Sequence, residues 1–204
     1  MRDAIVRAQI YDAESSTATA DSYPTGSAEW EAATKAAGQK YVAIGEKYAA
    51  NSAGGFLARR GSAESLLALG NRKEALGIYQ SLINMADVGE YVQEQQTLLL
   101  PKMMELMCSA DIADFEGALA LGEVWLQGAR GAAGETPTGL AIHYWMAQAQ
   151  HLRIEEIRAD ETRAGTNSGQ REIREFGNAL LEHAEVVASR RGAYQRKGRE
   201  LRIA

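Results

Sequence analysis

Residues 70–82 read Gly70-Asn71-Arg72-Lys73-Glu74-Ala75-Leu76-Gly77-Ile78-Tyr79-Gln80-Ser81-Leu82. Gly-Asn punctuates the chain, and strong helix formers follow at once. Ala75, Tyr79 and Leu82 stand at i, i+4 and i+7, one face of a helix. An alanine on that face lets two backbones approach closely, and the aromatic four residues on fills the space beside it. The spacing predicts a helix from Lys73 to about Met85, with Ala75, Leu76, Tyr79, Leu82 and Ile83 facing a core.

Working outward, the same order returns in weaker form. Ala37, Tyr41 and Ile44 hold the corresponding places in an earlier helix, which Ser27 caps and Asn51-Ser52-Ala53-Gly54-Gly55 ends; its apolar stripe runs Ala33, Ala37, Tyr41, Ile44, Tyr48. Asp114-Phe115-Glu116-Gly117-Ala118-Leu119 repeats the turn, aromatic, acid, Ala-Leu order, with Trp125 beyond. Asn178-Ala179-Leu180 with His183 and Val186 is a poorer fourth. Between these lie helices expected over Asp3–Ala20, Phe56–Leu69, Val88–Ser109 (divided or bent at Pro101), Asp114–Gln127, Leu140–Ile157 and from Arg171 onward. Asp21 to Gly26 reads as a turn, Gly128 to Gly139 as a flexible loop and Asp160 to Gly169 as a polar loop. No run alternates with period two, so no strand is expected.

The stretch Gly70–Leu82 resembles the second half of a tetratricopeptide repeat, where a Gly-Asp/Asn turn precedes a helix bearing a small residue, an aromatic and an apolar residue in these places. The likeness covers residues 27–129 best, and an irregular helical part follows over 138–204. The anchoring alanines 37, 75, 118 and 179 are 38, 43 and 61 residues apart, unlike the family's period of about 34. The Tyr48-Ala49-Ala50-Asn51 helix end is also similar to tetratricopeptide proteins of bacterial envelopes. The resemblance implies an all-α fold of stacked antiparallel helix pairs, a right-handed superhelix (an α–α solenoid), taken as one domain over 1–204. A non-repeat bundle is the other helical packing.

Composition narrows the functions. A chain of 204 residues that is 46% hydrophobic can bury a core, and a net charge of −5 disfavours nucleic acid as the partner. One cysteine, Cys108, excludes an internal disulfide and a thiolate zinc cluster. No stretch reaches the roughly 18 apolar residues of a membrane span, so no membrane insertion is expected. The start Met1-Arg2-Asp3-Ala4-Ile5 lacks the order of a secretory signal. Cytoplasm is the default compartment, with a periplasmic or envelope location open if a signal or anchor has been removed. The end at Leu201-Arg202-Ile203-Ala204, in mid-pattern, suggests a fragment or a missing capping neighbour.

The groups that carry chemistry are sparse. There is no phosphate loop, dinucleotide turn or nucleophile elbow. His143 and His151 are eight residues apart, about 12 Å along a helix and too far to share a metal. The pair His151 and Glu155 reads as a surface contact, and His183 as a half-buried packing residue. Cys108 with Met103, Met104, Leu106 and Met107 reads as core, an adaptable methionine surface being the other possibility. Arg190, Arg191, Arg196, Lys197, Arg199 and Arg202 form a basic C-terminus that suits a helix end or, in the other reading, a phosphate or acidic partner. No catalysis, metal or cofactor is expected.

The expected function is therefore binding of a peptide or protein partner on a helical-repeat surface, without catalysis. The alternative is an assembly subunit, associating with its own copies or a larger complex. In tetratricopeptide proteins the first helix of a pair lines the concave face. That resemblance points Leu57, Arg60, Glu64 and Leu67 towards the partner, with Arg60 offering a forked donor for a carboxylate. Arg59 and Arg60 as a merely solvated face is the competing view. Trp30, Trp125, Tyr144 and Trp145 are candidate interface anchors, although aromatics at helical spacing usually fill cores.

Overall fold

The structure, a computed structural model, describes residues 2–129 and 131–202. Expectations that touch Met1, Arg130, Ile203 and Ala204 lie outside them. The described residues are all-helical and contain no strand. They form α1 (Arg2–Ala20), α2 (Ala28–Lys47), α3 (Ala53–Ala68), α4 (Arg72–Ile83), α5 (Glu90–Met107), α6 (Phe115–Gly128), a 3-10 turn (Gly131–Glu135), α7 (Pro137–Ala159), the short α8 (Glu161–Ala164), α9 (Asn167–Ser189) and α10 (Gln195–Leu201). Two compact units divide the chain at Leu99/Leu100, inside α5. The sequence pattern treats 1–204 as a single domain, whereas the packing groups residues into these two.

In the first unit α1 packs on α2, α2 on α3 and α3 on α4, and α1 also reaches α3. The small residues chosen from the pattern sit at the crossings: Ala37 is 1% exposed and Ala75 0%. Tyr41, Ile44, Tyr79 and Leu82, on the same faces, are buried with them. At the α2–α3 crossing a Cβ on Gly61 would lie 2.5 Å from the Tyr41 ring, so glycine is what lets the ring lie flat on the α3 backbone. Gly70 adopts φ +83 and ends α3, as the turn reading expects. Gln96 of α5 closes the C-terminus of α4: its side-chain amide donates to the carbonyls of Leu82 at 2.8 Å and Met85 at 3.0 Å.

Three helix starts are built on the same local hydrogen-bond pattern. Ser52, Thr136 and Thr166 each cap a helix by accepting the N–H of the residue three further on, Gly55, Gly139 and Gly169, at 3.1, 3.1 and 2.9 Å. Each hydroxyl in turn donates to the carbonyl three residues back, Ala49, Ala133 or Arg163, at 2.7, 2.7 and 2.8 Å. That same carbonyl overhangs the glycine, so close that a Cβ would meet its oxygen at 2.0, 2.4 and 2.0 Å. These glycines belong to first helical turns. Gly54 and Gly55 accordingly do not stop α2, which already ends at Lys47, and the expected loops 128–139 and 160–169 contain helical turns.

The second unit packs α6 on α7, α7 on α9, and α10 on both α9 and α7. Ala118 is fully buried. Tyr144, Ala147, Ile154, Leu180, Ala184, Val187 and Leu201 form a core cluster; on α9 the deeply buried small residue is Ala184, while Ala179 is half-buried. Met103, Met104, Met107 and Cys108 are buried too, which rules out the methionine surface. Two expectations are corrected here. α5 runs unbroken through Pro101, and the last helix is not continuous: it stops at Ser189 and restarts at Gln195. The basic residues consequently part company. Arg190 pairs with Glu135, Arg196 with Glu200, and Lys197 lies over the rings of Tyr144 and Tyr194.

Candidate functional site

Positions 57, 60, 64 and 67 make one stripe along α3, and none of the four side chains is fully buried. The i, i+4 spacing brings Arg60 and Glu64 together, with Arg60 Nε donating to Glu64 Oε1 at 3.1 Å. Arg60 Nη1 donates to Gln95 Oε1 of α5 at 2.9 Å. These two bonds fix the guanidinium, leave its Nη2 edge without a hydrogen bond among the described residues, and keep the side chain about one-third exposed (34%). Leu57 leans instead on the cluster of Ile10, Ala13, Tyr41, Ile44 and Ala58. Arg59 is separate: its guanidinium donates to the carbonyls of Tyr48 and Gly55 and locks the α2–α3 corner.

Beneath this pair the structure holds an orphan group. Tyr79 is 0% exposed and its hydroxyl has no hydrogen-bond partner among the described residues. Burial, then the Glu64 carboxylate, push its ionisation up, with Arg60 opposing. Tyr41 is raised likewise, first by burial. Both phenols stay neutral, so the polar character of the face rests on Arg60, Glu64 and Gln95. Two hollows flank α3. One of about 300 Å³ lies among Tyr41, Val42, Glu46, Arg59, Ile78 and Ser81. The other, of about 100 Å³, lies among α1, α2 and α3 and includes Trp30 and Glu64 in its wall.

The other singled-out residues resolve individually. Tyr144 is core, and Trp145 packs edge-on against it. Glu155 is engaged by Arg158 at 2.8 Å. Burial, then the Asp114 charge, push the Cys108 thiol up to about 12. Labelling by a thiol reagent at pH 7.5 should then be at least roughly a hundredfold slower in the folded chain than in urea, because almost no thiolate is present; equal rates would contradict the burial. Among the described residues there is no group of three or more His, Cys, Asp or Glu able to hold a metal, and no helix is long and apolar enough to cross a membrane.

One contact escaped the sequence reading. His143 of α7 and His183 of α9 meet with their Nδ1 atoms 2.8 Å apart. One ring must donate and the other accept, so the pair holds one shared proton between two neutral imidazoles. Burial keeps both below the ordinary histidine range. His183, which also feels His143, falls to about 4, while the Glu182 carboxylate offsets part of the shift at His143. A signal was present: each histidine lies 20 residues from Arg163, in the corner between α7 and α9. Residues equidistant from the corner of an antiparallel pair face each other.

Compared with known proteins, the chain matches no protein-family model, no curated protein and no solved structure.

Proposed function

We propose that the chain is a non-catalytic interaction module of the tetratricopeptide-like kind, stacking antiparallel helix pairs and binding a peptide or protein segment along α3. Burial of Ala37, Ala75 and Ala118 where helices cross supports the stacking. So does the partnership of α1 with α3 as well as α2, since first helices of successive pairs touch in such stacks. The binding reading is carried by one observation: Arg60 is held by Glu64 and Gln95 with its outer edge unspent. A fixed guanidinium with free N–H groups gives a carboxylate or backbone carbonyl two donors at little cost in ordering. Leu57 and Leu67 offer apolar contact along the same stripe.

The test is capture of partners by the full chain against Arg60→Ala and Glu64→Ala. Losing a charge-assisted hydrogen bond is worth about 1.5–3 kcal/mol, so Arg60→Ala should reduce capture by about 10- to 100-fold. Circular dichroism should show unaltered helix content. Capture that survives both substitutions undiminished would remove the α3 stripe as the binding face.

A further inference from the structure

α1 and α3 run side by side in the same direction, and the space between them is a wedge. At their N-terminal ends they touch: a Cβ on Gly54 would lie 2.0 Å from Val6 Cγ1. At their C-terminal ends Asp21 faces Glu64 and Ser65 across the cavity of about 100 Å³, which Trp30, Thr34 and Tyr41 of α2 close from below.

The polar atoms of this wall are mostly acceptors, the Tyr41 hydroxyl and the Trp30 indole N–H being its donors. No lysine, arginine or histidine lines it. Thr34 and Ser65 are 6% and 7% exposed, and each hydroxyl has already donated its proton to its own helix, to the carbonyls of Trp30 at 2.7 Å and Gly61 at 3.0 Å. Thr17 has done the same with the Ala13 carbonyl at 3.3 Å. Buried oxygens whose protons are spent can only accept. Two carboxylates join them. Glu64 is bonded to Arg60 through one oxygen, and Asp21 has no ion pair among the described residues. Both helices also end here with no basic residue in the last turn, so two negative dipole ends point the same way as the carboxylates. The Trp30 indole supplies a ring face for a cation.

We infer that this cavity is a subsite for a cationic side chain, a lysine or arginine of the bound segment. Three ammonium protons or a guanidinium fork provide donors and no acceptor, the complement of the hydroxyl and carboxylate oxygens in this wall. The inference deepens the peptide-binding reading and rests on it: the segment that meets Arg60 places one basic residue in the wedge, two helical turns or less from Arg60 along α3.

The experiment needs no partner. The full chain is titrated with n-butylammonium and with n-propylguanidinium chloride, side-chain surrogates of lysine and arginine, while the Trp30 indole N–H is followed by NMR. 1-Butanol, sodium chloride and calcium chloride are the controls. One or both cations should shift the signal saturably with a Kd on the order of 1–10 mM, and the isosteric pair Asp21→Asn/Glu64→Gln should weaken binding at least about tenfold with helix content unchanged. The subsite is overturned by no saturation at about 100 mM, by butanol matching the cations, by indifference to the double substitution, or by calcium binding more tightly than either cation. Such a failure alongside Arg60-dependent capture leaves the peptide-binding face standing, whereas cation binding without any Arg60-dependent capture removes the face and keeps the cavity.

Discussion

Lowering the pH from 7 to 4 is expected to destabilise the chain by roughly 2 kcal/mol through His143 and His183 alone. At pH 7 the imidazoles are neutral in both folded and unfolded chains, so nothing is lost. Below the ordinary value of 6.5 the unfolded chain takes up protons that the folded chain refuses, down to about 4 for His183. The unfolded state binds more protons throughout that window, so stability falls as the pH falls. A depression of this size at 1.36 kcal/mol per unit gives about 3 kcal/mol, and the solvent contact of two half-buried rings lowers it to roughly 2. Once both rings are protonated, two N–H donors also oppose each other across 2.8 Å. Urea unfolding of the full chain at pH 7, 5.5 and 4.5 measures this against His143→Gln/His183→Gln. The wild-type chain should lose stability faster with acidity, and parallel pH profiles would show that the two rings do not titrate as the buried contact requires.

The second large effect concerns the glycines at helix crossings, which the structure separates into kinds. Gly61→Ala places a methyl 2.5–2.6 Å from three carbons of the Tyr41 ring. The ring is rigid and 7% exposed, and the contact spans three of its carbons, so the whole ring has to shift to admit the methyl. A loss of about 2–3 kcal/mol is expected, in the overpacking range. Gly122→Ala meets Met146 at 2.6 Å, but a methionine side chain can swing aside. That change should cost less than about 1 kcal/mol once the gain in helix propensity is counted. Gly77→Ala meets nothing within 4 Å and should stabilise by about 0.5–1 kcal/mol. Thermal unfolding of the three variants should rank them Gly77, Gly122, Gly61 from most to least stable. A Gly61→Ala chain as stable as Gly77→Ala would mean that α2 and α3 do not cross as closely as described.

Local signals carried much of the helical layout. Ser27 is an N-cap, Gly70 terminates α3, and Ala37, Ala75 and Ala118 are buried, all as the pattern reads, while Asp114, read as the first residue of its helix, is the N-cap of α6. What escaped was written in a code with two meanings. A glycine ends a helix when it supplies positive φ, but Gly55, Gly139 and Gly169 are chosen for their missing Cβ, and composition does not separate the two reasons. The break at 190–194 escaped for another reason: its one local signal is the lone Gly192, which a helix can tolerate, and it is the return of α10 onto α9, with Gly198 under Val187, that requires the bend. Of the candidate site, the Arg60–Glu64 pair follows from helical spacing. Gln95, the Tyr79 hydroxyl and the wedge beside Trp30 depend on which helices become neighbours, and no short window of sequence specifies that.

The corners at Ser52, Thr136 and Thr166 have a wider consequence. Each closes its cap within seven residues, from the overhanging carbonyl to the glycine below it, by two hydrogen bonds of a single hydroxyl. Joints of that sort are modular. A lineage can duplicate, delete or exchange the rods between them while the angle of each elbow is inherited intact, so the outward surfaces are free to drift in search of partners long after the skeleton has ceased to change.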